Sequence, residues 1–168
     1  MPTVAVDGLD FDFPSTWRAS KYDDWQFYRK QFSTMRDGIK SVDLLAVDPD
    51  RTAWLIEVKD YRAHERTKPS ELDDEVARKV FDTLAAMLPA KINASDAEEA
   101  KMATAVLGAR KLRVVLHLEQ PRKHSTLRPR AISPADVQQA LRRLLKPIDA
   151  HPVVAETGRM GPLGWRVR

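Results

Sequence analysis

Two nearly unbroken apolar runs, SVDLLAVD at 41–48 and TAWLIEVKDY at 52–61, most constrain what this chain can fold into. The Asp48-Pro49-Asp50 sequence between them is a strong turn signal. Together they predict a β-hairpin. Apolar residues fill consecutive rather than alternate positions in both runs, and strands of that kind are covered on both faces. The remaining chain therefore has to supply a layer on each side, and 168 residues are enough for one such domain.

The covering elements can be read from periodicity and punctuation. Tyr22, Trp25, Tyr28/Arg29 and Phe32 recur at helical spacing and predict a helix over 21–35, with Ser20 and Asp23 as a capping box. Pro69 and Ser70 open a helix carrying Leu72, Val76, Val80/Phe81, Leu84 and Met87/Leu88 on one stripe, with Pro89 as its stop. Residues 95–108 predict another, with Ser95 as N-cap, Glu98 closing the box and Gly108 as C-cap. KLRVVLHLEQP is a third long strand. Ser133-Pro134 opens a helix to about Lys146. Residues 3–13 suggest an edge strand or an arm, and PVVAE and GWRVR two short strands. The order (β)αββααβαββ predicts an α/β (α+β) fold: one three-layer domain over 1–168, its mixed central sheet flanked by helices.

Composition narrows the chemistry. With no cysteine there is no disulfide framework, thiolate metal site or cysteine nucleophile. No apolar run approaches the ~20 residues of a membrane span. Residues 1–13 lack a basic segment and carry Asp7, Asp10 and Asp12, unlike a secretory signal, so the expected compartment is the cytoplasm. Charge is divided unevenly: residues 1–108 carry a net −5, residues 109–147 a net +8. Such a division suits a basic face that meets an anion, nucleic acid foremost, although a solvated surface would read the same way. Arg122, Lys123, Arg128 and Arg130 share one loop of that segment and are candidates for phosphate contacts, as is Arg62 beyond the second strand.

Three charges interrupt the greasy hairpin: Asp43 in the first strand, Glu57 and Lys59 in the second. Glu57 and Lys59 are two residues apart and share a face. Burying carboxylates in a sheet costs several kcal/mol unless they are paired or bind a cation. Two carboxylates beside a main-chain carbonyl make a hard-oxygen site suited to Mg²⁺ or Mn²⁺. A lysine beside such an ion can orient an attacking water or offset developing charge. The competing reading is a solvated Glu–Lys pair on a surface hairpin.

Asp43, thirteen intervening residues and then Glu57-Val58-Lys59, set on two apolar strands after a helix, resemble the PD-(D/E)xK nuclease superfamily. The likeness covers about 20–118, a nuclease-like core, and leaves 119–168 as a basic extension of the same domain. It departs from the pattern where Val42 replaces the proline. The resemblance implies a restriction-endonuclease-like fold and a Mg²⁺- or Mn²⁺-dependent phosphodiesterase acting on nucleic acid, DNA in the first instance. Asp43 and Glu57 would be metal ligands and Lys59 the catalytic lysine. An acidic residue from the preceding helix often joins the metal site; Asp23 or Asp24 is the counterpart, and Asp24 is favoured because Asp23 has a capping role. A homodimer is a further implication. The rival is a nuclease-fold module that binds nucleic acid, or a protein in a defence system, without cutting.

Other residues read more plainly. His64, His124 and His151 are loop histidines, His117 is a core histidine, and no pair has zinc spacing. Trp25, Tyr28 and Phe32 suit a core better than base stacking.

Overall fold

The computed structural model describes residues 2–64, 66, 71–121 and 132–168. Its strands are β1 (Thr3–Val6), β2 (Leu9–Asp12), β3 (Arg18–Lys21), β4 (Leu44–Val47), β5 (Thr52–Asp60), β6 (Lys111–Glu119), β7 (Val153–Ala155) and β8 (Arg166–Val167). Its helices are α1 (Leu72–Asn93), α2 (Ala97–Leu107) and α3 (Pro134–Leu145). The main sheet has the order β3-β4-β5-β6-β7. β3, β4 and β5 are antiparallel in sequence, whereas β5, β6 and β7 run parallel. The predicted hairpin is β4–β5, and both strands are buried on both faces up to Val58.

The two faces are covered differently. Leu45, Val47, Ala53, Leu55, Val114 and Leu116 pack against α1, α2 and α3. On the opposite face Leu44, Ala46, Trp54, Ile56 and Val115 meet Phe11 and Val167 of a second, three-stranded sheet of order β1-β2-β8, and Phe13 and Trp165 that adjoin its strands. The fold is thus mixed α+β in three layers, but helices lie on only one side of the central sheet, which corrects the expectation of helices on both. The short terminal strands belong to different sheets: β7 extends the main one and β8 pairs with β2.

Residues 3–13 form a hairpin rather than a single strand or arm. Asp7 and Gly8 both have positive φ, 50° and 79°, as a tight type I′ connection demands. The Asp-Gly dipeptide carries that signal.

The helix expected over 21–35 is replaced by strand β3, a 3-10 turn at Tyr22–Asp24 and a π-helical turn at Phe27–Phe32. Tertiary contacts override the helical periodicity. β3 completes the ladder with β4, and the Ser20 hydroxyl accepts from Trp25 Nε1 instead of capping. Glu99, from α2, accepts from the backbone N–H groups of Gln26 (2.7 Å) and Phe27 (3.1 Å), supplying the cap from 72 residues away. Tyr22, Trp25, Phe27 and Phe32 are buried core residues.

Pro89 lies inside α1, which continues to Asn93. A proline there forfeits one helical hydrogen bond, but Met87 and Ala90 on either side are buried and keep the segment seated. The buried stripe runs through Leu72, Val76, Val80, Thr83, Met87 and Ala90, so Phe81 and Leu88 are exposed rather than inward. α2 is capped by Asp96, whose carboxylate accepts from the Glu98 and Glu99 N–H groups, not by Ser95. α3 begins as expected, with Ser133 accepting from the Asp136 N–H.

Replacing Glu99 by alanine leaves the buried Phe27 N–H and the part-buried Gln26 N–H without an acceptor, a loss of about 1–3 kcal/mol. Urea denaturation should show a midpoint lowered accordingly, with Glu99→Gln recovering part of it.

Candidate active site

The site lies where β4 begins and β5 nears its end. In the ladder Leu44 pairs with Ile56, so one further step sets Asp43 opposite Glu57. Asp43 is held at both ends. Its carbonyl accepts from the Tyr22 N–H (2.8 Å) and its Oδ2 from the Val58 N–H (2.7 Å). Glu57, Leu55 and Ala53 alternate onto the helix-covered face, so the Glu57 side chain is driven under α1. It is 1% exposed.

Two lysines meet Glu57. Lys79 Nζ, from α1, is 2.5 Å from its Oε1 and Lys59 Nζ is 3.2 Å from the same oxygen. Lys59 also reaches Glu75 Oε1 at 2.8 Å, and Arg66 lies 2.7 Å from Glu75 Oε2. Lys79 and Glu75 are four residues apart on α1, hence one above the other on its inner face. Glu57 Oε2 is buried with no hydrogen-bond partner among the described residues.

The electrostatics follow from that packing. Burial pushes the Glu57 carboxyl up to about 7, the neighbouring Asp43 charge adds to the rise, and the two lysines oppose it. Burial likewise raises Asp43, against the Val58 N–H and the lysines. Burial alone would lower the Lys59 ammonium. The charges of Glu57 and Glu75 outweigh it and hold Lys59 above the usual lysine range.

Asp23, not Asp24, faces this centre. Its carboxyl is raised to about 6 by burial and by Asp43, and its Oδ1 is buried without a hydrogen-bond partner among the described residues. Asp24 is half-exposed and pairs with Arg29 and, at 3.4 Å, with Lys21. The preference for Asp24 rested on Asp23 being a cap, and no side-chain cap exists at that turn.

The remaining candidates sit elsewhere. Arg62 is clamped to Asp60 by 2.9 and 2.6 Å hydrogen bonds at the end of β5. Arg122, Lys123, Arg128, Arg130 and His124 lie outside the described residues. His117 is fully buried against Phe11, with Nε2 2.8 Å from Glu119 Oε1, as a core histidine. Burial holds its imidazole below the ordinary value.

Sequence reasoning missed Glu75, Lys79 and Arg66. The available signal was the position of Glu75 and Lys79 beside Val76 and Val80, on the stripe that faces the core.

Among the described residues no group of three or more histidine or acidic side chains is arranged to hold a metal ion. The pair Asp43 and Glu57, with the orphaned Glu57 oxygen, fits a cation that takes one or two carboxylates and keeps several waters, as Mg²⁺ does.

The chain is 30% identical, over 159 aligned positions, to a cysteine–tRNA ligase of Neisseria meningitidis. The match covers 77% of this chain and 23% of the relative, so the chain spans about a quarter of the length of the curated relative it matches. No family model matches the chain. No solved structure matches it. Among the described residues no helix is long and apolar enough to cross a membrane.

Because Glu57 has a higher pKa folded than unfolded, the folded state binds its proton more tightly, and stability falls as pH rises through roughly 4.5 to 7. Urea midpoints at pH 5 and pH 8 should therefore drop more in the wild type than in Glu57→Gln. Equal drops would show that Glu57 is solvated.

Proposed function

We propose that the protein is a metal-dependent nuclease with a restriction-endonuclease-like arrangement of Asp43, Glu57 and Lys59. The observation that carries this reading is the pairing of half-buried Asp43 opposite buried Glu57, with Lys59 two residues along the same strand face. Asp43 Oδ2 is used by the Val58 N–H, but Glu57 Oε2 has no hydrogen-bond partner among the described residues, and burial raises both pKa values. A site that opposes its own ionisation in this way is suited to a cation.

Asp43 and Glu57 would hold Mg²⁺ or Mn²⁺. When bound, the ion supplies Lewis-acid charge at a phosphoryl oxygen and lowers the pKa of a coordinated water. Lys59 acts from beside the carboxylates, as the donor that orients the attacking water and offsets charge developing on the phosphate. Glu75 positions Lys59 at 2.8 Å, and Lys79 opposes the burial that raises Glu57. Asp23 is placed to lend a further oxygen. Arg62 and the basic run through Arg122, Lys123, Arg128 and Arg130 would meet the phosphate backbone.

Duplex DNA is the first substrate to try. The relative's name concerns a tRNA, so tRNA belongs in the same assay. A second reading draws on a specific feature: Lys59 and Lys79 already neutralise Glu57, so the site is charge-balanced without an ion. A domain that binds nucleic acid and does not cut it would tolerate that arrangement.

Cleavage of plasmid, single-stranded DNA and tRNA in Mg²⁺ or Mn²⁺, with a chelator control, separates the two readings. Lys59→Ala should lose on the order of 10²–10³ in rate while the metal still raises the melting temperature. Asp43→Asn should lose both, since an amide is a poorer ligand for a hard cation. A wild type that cuts none of the three substrates, or a Lys59→Ala variant that cuts as well as wild type, leaves the binding module in its place.

A further inference from the structure

The described charges of the basic segment 109–147 gather at one end of the molecule. β6 runs toward the opposite end, which holds Glu57 and Lys59, because Lys59 pairs in register with Leu118. α3 then leads back to the other one: just beyond it Asp149 accepts from the Val114 N–H and meets Arg113 at 3.2 Å, near the start of β6. The last turn of α3, with Arg142 and Arg143, and the adjoining Lys146 therefore lie with Arg110 and Lys111, at the end opposite the carboxylates. Seven steps along β5, from Thr52 to Lys59, separate the two ends by roughly 23 Å.

We propose that this far end is a second surface for the phosphate backbone of nucleic acid. Arg110, Lys111, Arg142, Arg143 and Lys146 are all exposed, and among the described residues none has an ion-pair partner within 4.0 Å. Of the acids nearby, Asp149 and Asp48 are committed, while Asp50 is exposed in the β4–β5 turn. Asp149 serves Arg113 and the His151 N–H, and Asp48 serves the Thr52 N–H and the Trp54 indole. Two clefts open here. One of about 520 Å³ is lined by Arg110, Lys111 and Ile148, the other of about 600 Å³ by Arg18, Arg51 and Lys101. The Arg110 N–H donates to the Arg51 carbonyl, which joins the two clefts along one rim.

A basic last turn is favoured by the α3 dipole. That effect does not call for Arg110 and Lys111 alongside it. Like charges gathered without counter-charges repel, and a polyanion relieves the repulsion. Successive phosphates along one strand of a duplex lie about 3.4 Å apart along its axis, so the two ends are about seven base pairs apart. One duplex laid along the strands reaches both, and the far end anchors it while the carboxylate end meets the backbone. Acidic protein would need the same charge, but no repeated spacing to match two surfaces so far apart.

The inference takes from the proposed function only that nucleic acid is the partner. Its test is a salt titration of affinity for a labelled duplex of about 30 base pairs, by fluorescence anisotropy, in the presence of chelator. Arg110→Gln, Lys111→Gln, Arg142→Gln and Arg143→Gln together should flatten the slope by about 3–4, at ~0.9 per lost contact, and weaken binding roughly 10- to 100-fold. The two half-variants, each keeping one pair, should each lose about half of the slope and keep the test readable if the fourfold variant does not fold. Arg51 and Arg113 stay intact because the first holds the Gly108 carbonyl and the second Asp149. An unchanged slope on DNA and on tRNA would overturn the inference in favour of an acidic protein partner. A wild type that binds steeply but cuts nothing would sink the nuclease reading and leave this surface standing.

Discussion

The hydrogen bond from the Val58 N–H to Asp43 Oδ2 joins two parts of the molecule that would otherwise separate. The named β4–β5 ladder stops at Leu44–Ile56, and Asp43 lies one residue beyond it. There the chain turns away into the packing of Tyr22, whose N–H is held by the Asp43 carbonyl. Asp43 therefore uses its main chain to anchor the β3–turn segment and its side chain to anchor β5. Its carboxylate is left buried against Glu57, and the rest of the site is a response to that charge.

The response comes from the helical layer. Covering one face of the central sheet with α1 brings the long side chains of Glu75 and Lys79 over Glu57 and Lys59. Two cations and two carboxylates then alternate across the β5–α1 interface, with Arg66 at its edge. Removing any one partner leaves a charge in a poorly solvated place, which costs several kcal/mol, so these groups stand or fall together. The opposite face needs no such network. There Trp17 and Trp165 pack on Trp54, Phe13 packs on both of them, and burial is almost wholly aromatic and aliphatic.

What could be read in one dimension reflects which physical signals are local. Asp43, Glu57 and Lys59 stood out because a charge in an apolar strand is anomalous, and the period of two places 57 and 59 together. The hairpin, β6, α2 and α3 were legible for the same reason, as periodic runs bounded by turn and cap residues. Glu75 and Lys79 were not, because charges in a helix are ordinary until the helix is known to turn that face inward. Asp23 and Asp24 could not be ranked from a helix that proves to be a 3-10 turn followed by a π-helical turn. The helix failed to form because its cap comes from Glu99, a contact that no window around residue 25 contains. The second sheet was hidden too, since two-residue β8 is stable only against β2, some 155 residues earlier.

Charge behaves similarly. A net +8 over 109–147 looks like one basic footprint when read along the chain, and that reading assumes that neighbours in sequence remain neighbours in space. A parallel β6–α3–β7 crossover breaks the assumption by construction. Parallel strands require the connecting helix to run back along the sheet, so residues before β6 and after α3 meet at one end. Any segment that spans such a unit has its charge divided between two ends about a strand length apart. In this chain Arg110, Lys111, Arg142, Arg143 and Lys146 lie beyond the end of the sheet opposite the carboxylates. A polyanion bound both there and at the carboxylates, as proposed, would lie along the strands, which would fix its direction across the domain before any base is read.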